Sequence, residues 1–152
     1  ETELNFGMVL DGICKLYLPM LKPFDIQMQW NSRSDIVMTM RQIDLESIII
    51  NMITNAFEQV KERNNRKIQI QFTEDDESIE LFFEDSGVGV PEPEREKIFH
   101  AFYTTKEDDG IGLGLNIVKD IVSSYDGTIY VMDSKELGGA KFVVHFMKKE
   151  TT

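Results

Sequence analysis

Cysteine, proline, positive charge and long apolar runs are all scarce in this 152-residue chain. The single cysteine, Cys14, cannot form an intrachain disulfide, and its place among apolar residues in a helical pattern predicts a buried free thiol. No apolar run is long enough to cross a bilayer, and residues 1–20 lack the basic start of a signal peptide. We therefore expect one domain, residues 1–152, in the reducing environment of the cytoplasm, whether or not a parent protein is anchored in a membrane.

Basic residues are also few relative to acidic ones. The chain has 16 Lys and Arg against 27 Asp and Glu, which gives a formal net charge of −11. A nucleic-acid-binding surface needs a basic patch or stripe, and none is present, so we expect no nucleic-acid partner and no membrane contact by this domain. A phosphate site on such an acidic chain would need a divalent cation beside it.

Hydrophobic periodicity predicts helices interspersed with pairs of strands. Helices are predicted at residues 4–21, 45–63, near 94–102 and at about 113–125, and strands at 24–30, 36–40, 67–73, 78–84, 128–132 and 141–147. We expect the first two strands to pair as a hairpin and Asp44 to cap the second helix. This order favours an α+β fold, a two-layer α/β sandwich with a mixed, mostly antiparallel sheet and helices on one face.

The most informative segment is Gly110-Ile111-Gly112-Leu113-Gly114-Leu115, which leads directly into a helical pattern. Alternate glycines allow backbone N–H groups to point into a concavity, and the positive end of the helix dipole faces the same place. The segment therefore predicts an anion site, most simply for phosphate, although an ordinary glycine-rich turn is the alternative.

Two asparagines lie four residues apart on the predicted helix 45–63. Asn51 and Asn55 share a face with Glu58 and Glu62, opposite the apolar face. Asparagine favours caps and turns over helix interiors, and an amide oxygen is a suitable ligand for Mg²⁺. A merely solvated helix face is the alternative, and for the two glutamates it is the better one.

A carboxylate followed by glycines ends the predicted strand 78–84. In Asp85-Ser86-Gly87-Val88-Gly89-Val90, Asp85 could accept a hydrogen bond from an exocyclic amine such as that of adenine. Val90 and Phe99 could then line a planar ring. The alternative is a simple Asp-x-Gly turn.

Phe99-His100-Ala101-Phe102 is followed by Thr104, Thr105 and Lys106, close enough to Gly110 to reach the same phosphates. We expect both phenylalanines to lie in the core rather than to stack on a ligand.

In this order and spacing, these segments resemble the ATP-binding catalytic domain of sensor histidine kinases, in the Bergerat-fold ATPase superfamily. Asn51 to Ala56 resembles the N box, Asp85 to Gly89 the first glycine box, Phe99 to Phe102 the F box and Gly110 to Leu115 the second glycine box. Leu137 to Phe142 resembles a weakened terminal glycine box. The resemblance covers about residues 4–148.

The resemblance implies ATP and Mg²⁺ as cofactors and a role for each motif. Asn55 would coordinate Mg²⁺ with support from Asn51, and Asp85 would bind the adenine amine. Thr105 and Lys106 would touch the phosphates at the start of a mobile lid. The remaining nucleotide-binding positions would be Gly87, Gly89, Val90, Gly110, Ile111, Gly112, Leu113, Gly114 and Leu115.

The family needs a phosphoacceptor histidine, and neither His100 nor His145 lies in the family's pattern for one. The resemblance therefore implies that the γ-phosphate goes to a histidine on a separate dimerisation domain. That domain and any sensor would lie outside this chain, and a response regulator would be the partner of the intact kinase.

Some positions depart from the family pattern and leave alternatives open. Glu58 replaces a frequent basic residue, Glu107 to Asp109 make the lid acidic, and Leu137 and Ala140 replace the usual Gly and Thr. A degenerate nucleotide-binding module is one alternative, and a Bergerat-fold ATPase of another class is the second. Hydrolytic relatives place a glutamate base where this chain has Asn51, and an amide cannot accept a proton at neutral pH, so position 51 favours the kinase.

Overall fold

The computed structural model describes residues 1–103 and 114–149, and these contain three α-helices and seven strands. The helices are α1 (Phe6–Leu21), α2 (Gln42–Val60) and α3 (Gly114–Ser124). The strands are β1 (Thr2–Asn5), β2 (Gln27–Asn31), β3 (Val37–Met40), β4 (Lys67–Glu74), β5 (Ser78–Asp85), β6 (Thr128–Asp133) and β7 (Ala140–Met147).

Five of the strands form one sheet in the order β2-β4-β5-β7-β6. Only the β2–β4 pair is parallel within this sheet, and the other three pairs are antiparallel. Alternate residues of the central strands are buried on one face, where the helices pack, so the core lies between the sheet and the helix layer. The predicted two-layer α/β sandwich with a mixed, mostly antiparallel sheet is confirmed.

The predicted hairpin between residues 24–30 and 36–40 is wrong. β2 runs parallel to β4, with Gln27 opposite Lys67, whereas β3 pairs antiparallel with β1, with Thr2 opposite Met40. The sequence pattern missed β1 because its four residues are too few to show a period. The side chain of Asn5 accepts a hydrogen bond from the Met8 N–H at 3.0 Å, and this N-cap starts α1 at Phe6.

The start of α2 also differs from the prediction. Asp44 lies in the first turn of the helix, and Arg41, in extended conformation, is the N-cap residue without a side-chain cap. The Arg41 guanidinium donates to both carboxylate oxygens of Asp44 at 3.0 Å. Asp44 therefore stabilises the helix N-terminus through its charge, not as a cap.

The predicted short helix near 94–102 is two separate 3-10 turns, Glu92–Glu94 and Lys97–Phe99. Pro91 and Pro93 fix the start of this segment, and a proline within the first turn removes a backbone donor that a longer helix would use.

Cys14 is a buried free cysteine, as predicted, and burial raises the pKa of its thiol to about 12. Within residues 1–103 and 114–149, no helix has both the length and the apolar character needed to cross a membrane.

Candidate functional site

Asp85 lies at the end of the central strand β5, on the face of the sheet that the helices cover. Its side chain is only 1% exposed. The Oδ1 atom accepts hydrogen bonds from the Gly87 N–H at 2.8 Å and from the Ala140 N–H at 3.3 Å. Burial raises the pKa of the Asp85 carboxyl, while these two backbone bonds and the positive charge of Arg63 act in the opposite direction.

The start of β7 fits closely against Asp85. The Gly139 N–H donates to the Asp85 backbone oxygen at 3.1 Å. A Cβ at Gly139 would contact that same oxygen and would lie 2.5 Å from both Asp85 Oδ1 and the Gly87 nitrogen. Position 139 therefore has no room for a side chain. Gly139 belongs to the segment predicted to resemble a terminal glycine box, in which Leu137 and Ala140 depart from the family pattern.

Residues 86–90 form a loop beside Asp85, which we call the Asp85 loop. Gly89 has φ of +75°, a conformation that favours glycine. At one end of the loop the Arg63 Nε donates to the Ser86 carbonyl oxygen at 3.1 Å, and at the other end the Arg95 Nε donates to the Val90 carbonyl oxygen at 3.0 Å. Sequence reasoning missed both arginines because they lie outside the motifs.

The polar face of α2 lies next to this loop. Asn51, Asn55 and Gln59 follow each other at intervals of four residues, and all are half-buried. A Cβ at Gly87 would lie 2.9 Å from the Gln59 Cβ, and a Cβ at Gly114 would lie 3.3 Å from the Asn51 Oδ1. The first glycine motif therefore lies at one end of this helix face and the start of α3 at the other, with Asn55 between them.

The amides on this face differ in their hydrogen bonds. Asn51 Nδ2 donates to the Ser47 carbonyl oxygen at 2.7 Å, which fixes the orientation of the side chain. The Asn55 side chain has no hydrogen bond to any residue that the structure describes. The oxygen atom of Asn55 is thus available for a ligand.

Glu58, which replaces a frequent basic residue of the resembled family, carries its own counterion. Lys61 lies one helical turn later, with its Nζ atom 2.7 Å from the Glu58 carboxylate and 5.7 Å from the centre of the Phe57 ring. This pairing offsets the negative charge that Glu58 would otherwise place near Asn55.

The two phenylalanines of the F-box-like segment have different environments. Phe99 is buried and contacts Phe142 edge to face, with ring centroids 6.2 Å apart, as predicted for a core residue. The prediction is wrong for Phe102, which is 72% exposed, with φ of +66°. The 3-10 turn has already ended at Phe99, and Phe102 lies in a following turn closed by the Tyr103 N–H and the His100 carbonyl oxygen at 3.2 Å, so its side chain is directed away from the core. Val90 packs at the edge of the core.

Of the remaining positions predicted to bind nucleotide, two lie in α3 and the others lie outside the described part of the chain. Gly114 begins α3, and Leu115 packs against the core at its first turn. Thr105, Lys106, Gly110, Ile111, Gly112 and Leu113 lie outside the described residues. The Asn116 Oδ1, which sequence reasoning did not single out, is buried and has no hydrogen-bond donor within the described residues.

A family model described as histidine kinase-, DNA gyrase B-, and HSP90-like ATPase matches residues 40–150. The chain belongs to this family. Its members are nucleotide-binding domains, and the predicted superfamily is confirmed.

Individual relatives narrow the comparison to sensor kinases. The C4-dicarboxylate transport sensor protein DctB of Rhizobium meliloti is 40% identical over 107 residues, and sporulation kinase A of Bacillus subtilis is 37% identical over 108 residues. These matches cover 70% and 71% of this chain but only 17% of each relative. The chain therefore spans less than a fifth of the length of these relatives.

Among solved structures, the catalytic domain of histidine kinase ThkA matches with a TM-score of 0.85 and 27% identity, covering 98% of each chain. The mycobacterial sensor histidine kinase MprB matches with a TM-score of 0.80 at 19% identity, covering 99% of each chain, and supports the fold alone. Within its family, this ATPase domain is thus of the sensor histidine kinase type.

Proposed function

We propose that this domain binds Mg-ATP between α2 and the Asp85 loop and transfers the γ-phosphate to a histidine on a separate dimerisation domain. The observation that carries the proposal is the polar face of α2, which contacts the first glycine motif at Gln59 and the start of α3 at Asn51. Eight residues of helix separate these ends, about 12 Å along the axis. An extended nucleotide can lie along this face, with the base at Asp85 and the phosphates toward α3.

The base end of the site suits adenine. Asp85 is buried and its described hydrogen bonds reach Oδ1, so the second oxygen can accept from an exocyclic amine. Gly87 and Gly89 allow the backbone to approach the ring, and Val90 lies at the apolar edge. A purine with an amino group at this position is the expected base.

The phosphate end suits a magnesium ion held mainly by its nucleotide. The described residues contain no group of three or more His, Cys, Asp or Glu that could hold a metal ion. Mg²⁺ often binds through one or two protein oxygens together with phosphates and water, and the Asn55 amide offers one such oxygen. The bound ion would neutralise charge on the phosphates during transfer. Thr105, Lys106 and the glycines from Gly110 onward complete the phosphate site in this proposal.

Transfer to a histidine is favoured over hydrolysis of ATP. Asn51 stands where hydrolytic relatives of the family have a glutamate general base. Its amide cannot accept a proton from water at neutral pH. An imidazole on another domain is already nucleophilic and needs no base of this kind. The similarity to sensor kinases supports the same choice.

We propose that the acceptor is not one of the chain's own two histidines. His100 is exposed directly after a 3-10 turn, and His145 is half-buried in β7 opposite Glu80 and Thr128. Neither is at the start of a helical hairpin. ThkA has been crystallised with the response regulator protein TrrA, in a match of 25% identity that covers 97% of this chain and 42% of the kinase. A response regulator is accordingly proposed as the partner of the intact protein, and the cytoplasm as the site of action.

Calorimetric titration with a non-hydrolysable ATP analogue, with and without Mg²⁺, tests this function. We expect Mg²⁺ to strengthen binding to the wild-type chain, and replacing Asn55 with Ala to abolish that Mg²⁺ dependence. The Asn64→Ala variant, in the exposed connection after α2, is the matched control and should behave as the wild type. Absence of binding to the wild-type chain at millimolar analogue would refute the proposed function, and an unchanged Mg²⁺ effect in Asn55→Ala would remove Asn55 from the metal site.

A further inference from the structure

Arg63 lies just after α2, outside every motif, and is joined to the residue that follows Asp85. Its Nε donates to the Ser86 carbonyl oxygen at 3.1 Å. Ser86 itself is buried, with its Oγ donating to the Asn65 carbonyl oxygen at 2.7 Å and accepting from the Lys67 N–H at 2.8 Å. The connection between α2 and β4 is thus fastened to the start of the Asp85 loop.

The surroundings of Asp85 contain few other charged groups. In register with it, β4 contributes the apolar Ile68, while α2 contributes the neutral Gln59 beside Gly87 and β7 contributes main-chain groups. The adjacent Glu84 and its cross-strand neighbour Lys141 lie on the opposite face of the sheet, where Glu84 accepts from the Ser134 hydroxyl at 3.0 Å. Among the described residues, the positive charge of Arg63 lowers the Asp85 pKa, although less than the two backbone hydrogen bonds do and against a larger rise from burial.

We propose that Arg63 is a positioning residue for base recognition, which holds the start of the Asp85 loop by the Ser86 carbonyl and places a positive charge at the residue next to Asp85. The use of this arrangement for nucleotide rests on the proposed function above. Ser86 keeps its Oγ hydrogen bonds when Arg63 is replaced, so the loop should loosen at this one contact without unfolding. Replacing Arg63 by a neutral residue therefore removes one hydrogen bond to the loop and one positive charge near Asp85.

Two further arginines serve as controls that distinguish the effect of the Arg63 charge from the effect of merely holding the loop in place. Arg95 holds the far end of the Asp85 loop through Val90 and pairs with Asp133 at 3.0 Å, without a resolved effect on the Asp85 pKa. Arg33 pairs only with the exposed Asp35 among the described residues and is remote from the loop. Arg95→Gln therefore removes a contact at the far end of the loop, beside Gly89 and Asp133 and not beside Asp85, and Arg33→Gln removes an arginine from the surface alone.

The decisive experiment is a ¹³C NMR titration of the Asp85 carboxyl in the nucleotide-free chain. We expect the Asp85 pKa to rise in Arg63→Gln, to return toward the wild-type value in Arg63→Lys, and to stay unchanged in Arg95→Gln and Arg33→Gln. Arg63→Met also removes the charge and has a side chain of similar reach, so it replaces Arg63→Gln if that variant folds poorly. An Asp85 pKa that is the same in the wild type and in the variant without the charge would overturn the proposal.

Binding of the Mg²⁺-loaded, non-hydrolysable ATP analogue gives the second readout. Loss of one hydrogen bond and one favourable charge should weaken binding to Arg63→Gln by about threefold to tenfold at neutral pH. The loss should grow as pH falls, because Asp85 becomes protonated at a higher pH in this variant. Arg95→Gln should weaken binding equally at every pH. If the wild type fails to bind, the proposed function is refuted, while the NMR titration still decides the role of Arg63.

Discussion

Asp85 is a carboxylate buried at the end of a central strand, and this position has a cost for the fold. Burial raises the pKa of its carboxyl above the ordinary value of 3.8, so the folded chain binds the proton more tightly than the unfolded chain. Stability is therefore lost as pH rises from the unfolded-state pKa through the folded-state pKa. At neutral pH the ionised carboxyl therefore lowers the free energy of unfolding. A buried carboxylate with this cost is expected where its role is to bind a ligand.

Replacing Asp85 with Asn should separate stability from binding. The Asn oxygen can still accept from the Gly87 and Ala140 N–H groups, so the variant should be more stable than the wild type at neutral pH, with a smaller difference at about pH 4. Urea denaturation at both pH values measures this. Affinity for ATP should fall by about tenfold or more because a charged acceptor is lost, with a much smaller loss for ITP, which lacks the amine. Equal losses for the two nucleotides would refute the adenine contact.

Gly139 is required by contact with Asp85, and Gly12 is a glycine that the fold does not need. A Cβ at Gly139 would overlap main-chain atoms of Asp85 and Gly87, whereas a Cβ at Gly12 in α1 meets nothing within 4 Å. Gly139→Ala should destabilise the chain by about 2 kcal/mol or more and weaken ATP binding. Gly12→Ala should stabilise it by about 0.5–1 kcal/mol with unchanged binding. Thermal unfolding compares the two, and equal effects would contradict the close approach at Gly139.

At the scale of the elements, α2 and α3 are joined at the ends remote from Asp85. The Tyr125 hydroxyl, directly after α3, donates to Asp44 and accepts from the Arg41 N–H at 3.1 Å. Burial and the bond to Asp44 raise the pKa of Tyr125. The hydroxyl of a tyrosine that follows α3 thus binds the Arg41 backbone N–H and the Asp44 carboxylate at the start of α2, where Arg41 provides no side-chain cap.

Tyr125→Phe should remove this connection without creating a cavity. We expect a loss of about 1–2 kcal/mol in the free energy of unfolding, together with faster hydrogen exchange in the first turn of α2. Tyr130→Phe is the matched control, because Tyr130 is 47% exposed on the edge strand and should change stability by less than about 0.5 kcal/mol. Similar losses in the two variants would show that the hydroxyl of Tyr125 has no special role.

The predictable elements were those with a long hydrophobic period. α1, α2 and the strands β4, β5 and β7 each place several apolar residues on one face, and their predicted positions agree with the structure to within a few residues. The pairing of β2 and β3 was not predictable, because both partners, β1 and β4, are set by contacts distant in sequence. Local pattern favours a hairpin wherever two short strands follow one another.

Residues of the candidate site likewise divide into those that could be predicted from the sequence and those that could not. Asp85, Gly87 and Asn51 were identified from motifs because their residue types and spacing are unusual in a strand end or a helix. Arg63 and Arg95 were missed because each acts through a main-chain carbonyl, and such a contact leaves no trace in the residue types. The structure was also needed to pair Glu58 with Lys61 and so to offset its charge.

At the scale of the whole molecule, the net charge determines the long-range electrostatic force on an approaching nucleotide. A formal charge of −11 repels free ATP, which is itself strongly negative. Salt shortens the Debye length from about 30 Å at 0.01 M to about 8 Å at 0.15 M, and thus screens this repulsion.

The association rate of Mg²⁺-free ATP with this chain should therefore rise with salt over that range, as measured by stopped-flow fluorescence. Mg-ATP carries less charge and should show a weaker rise, and uncharged adenosine should show none. A rate that instead falls with salt would mean that local positive charge, such as the dipole at the start of α3, dominates the field at the site. The formal net charge would then not govern how fast the nucleotide approaches the site.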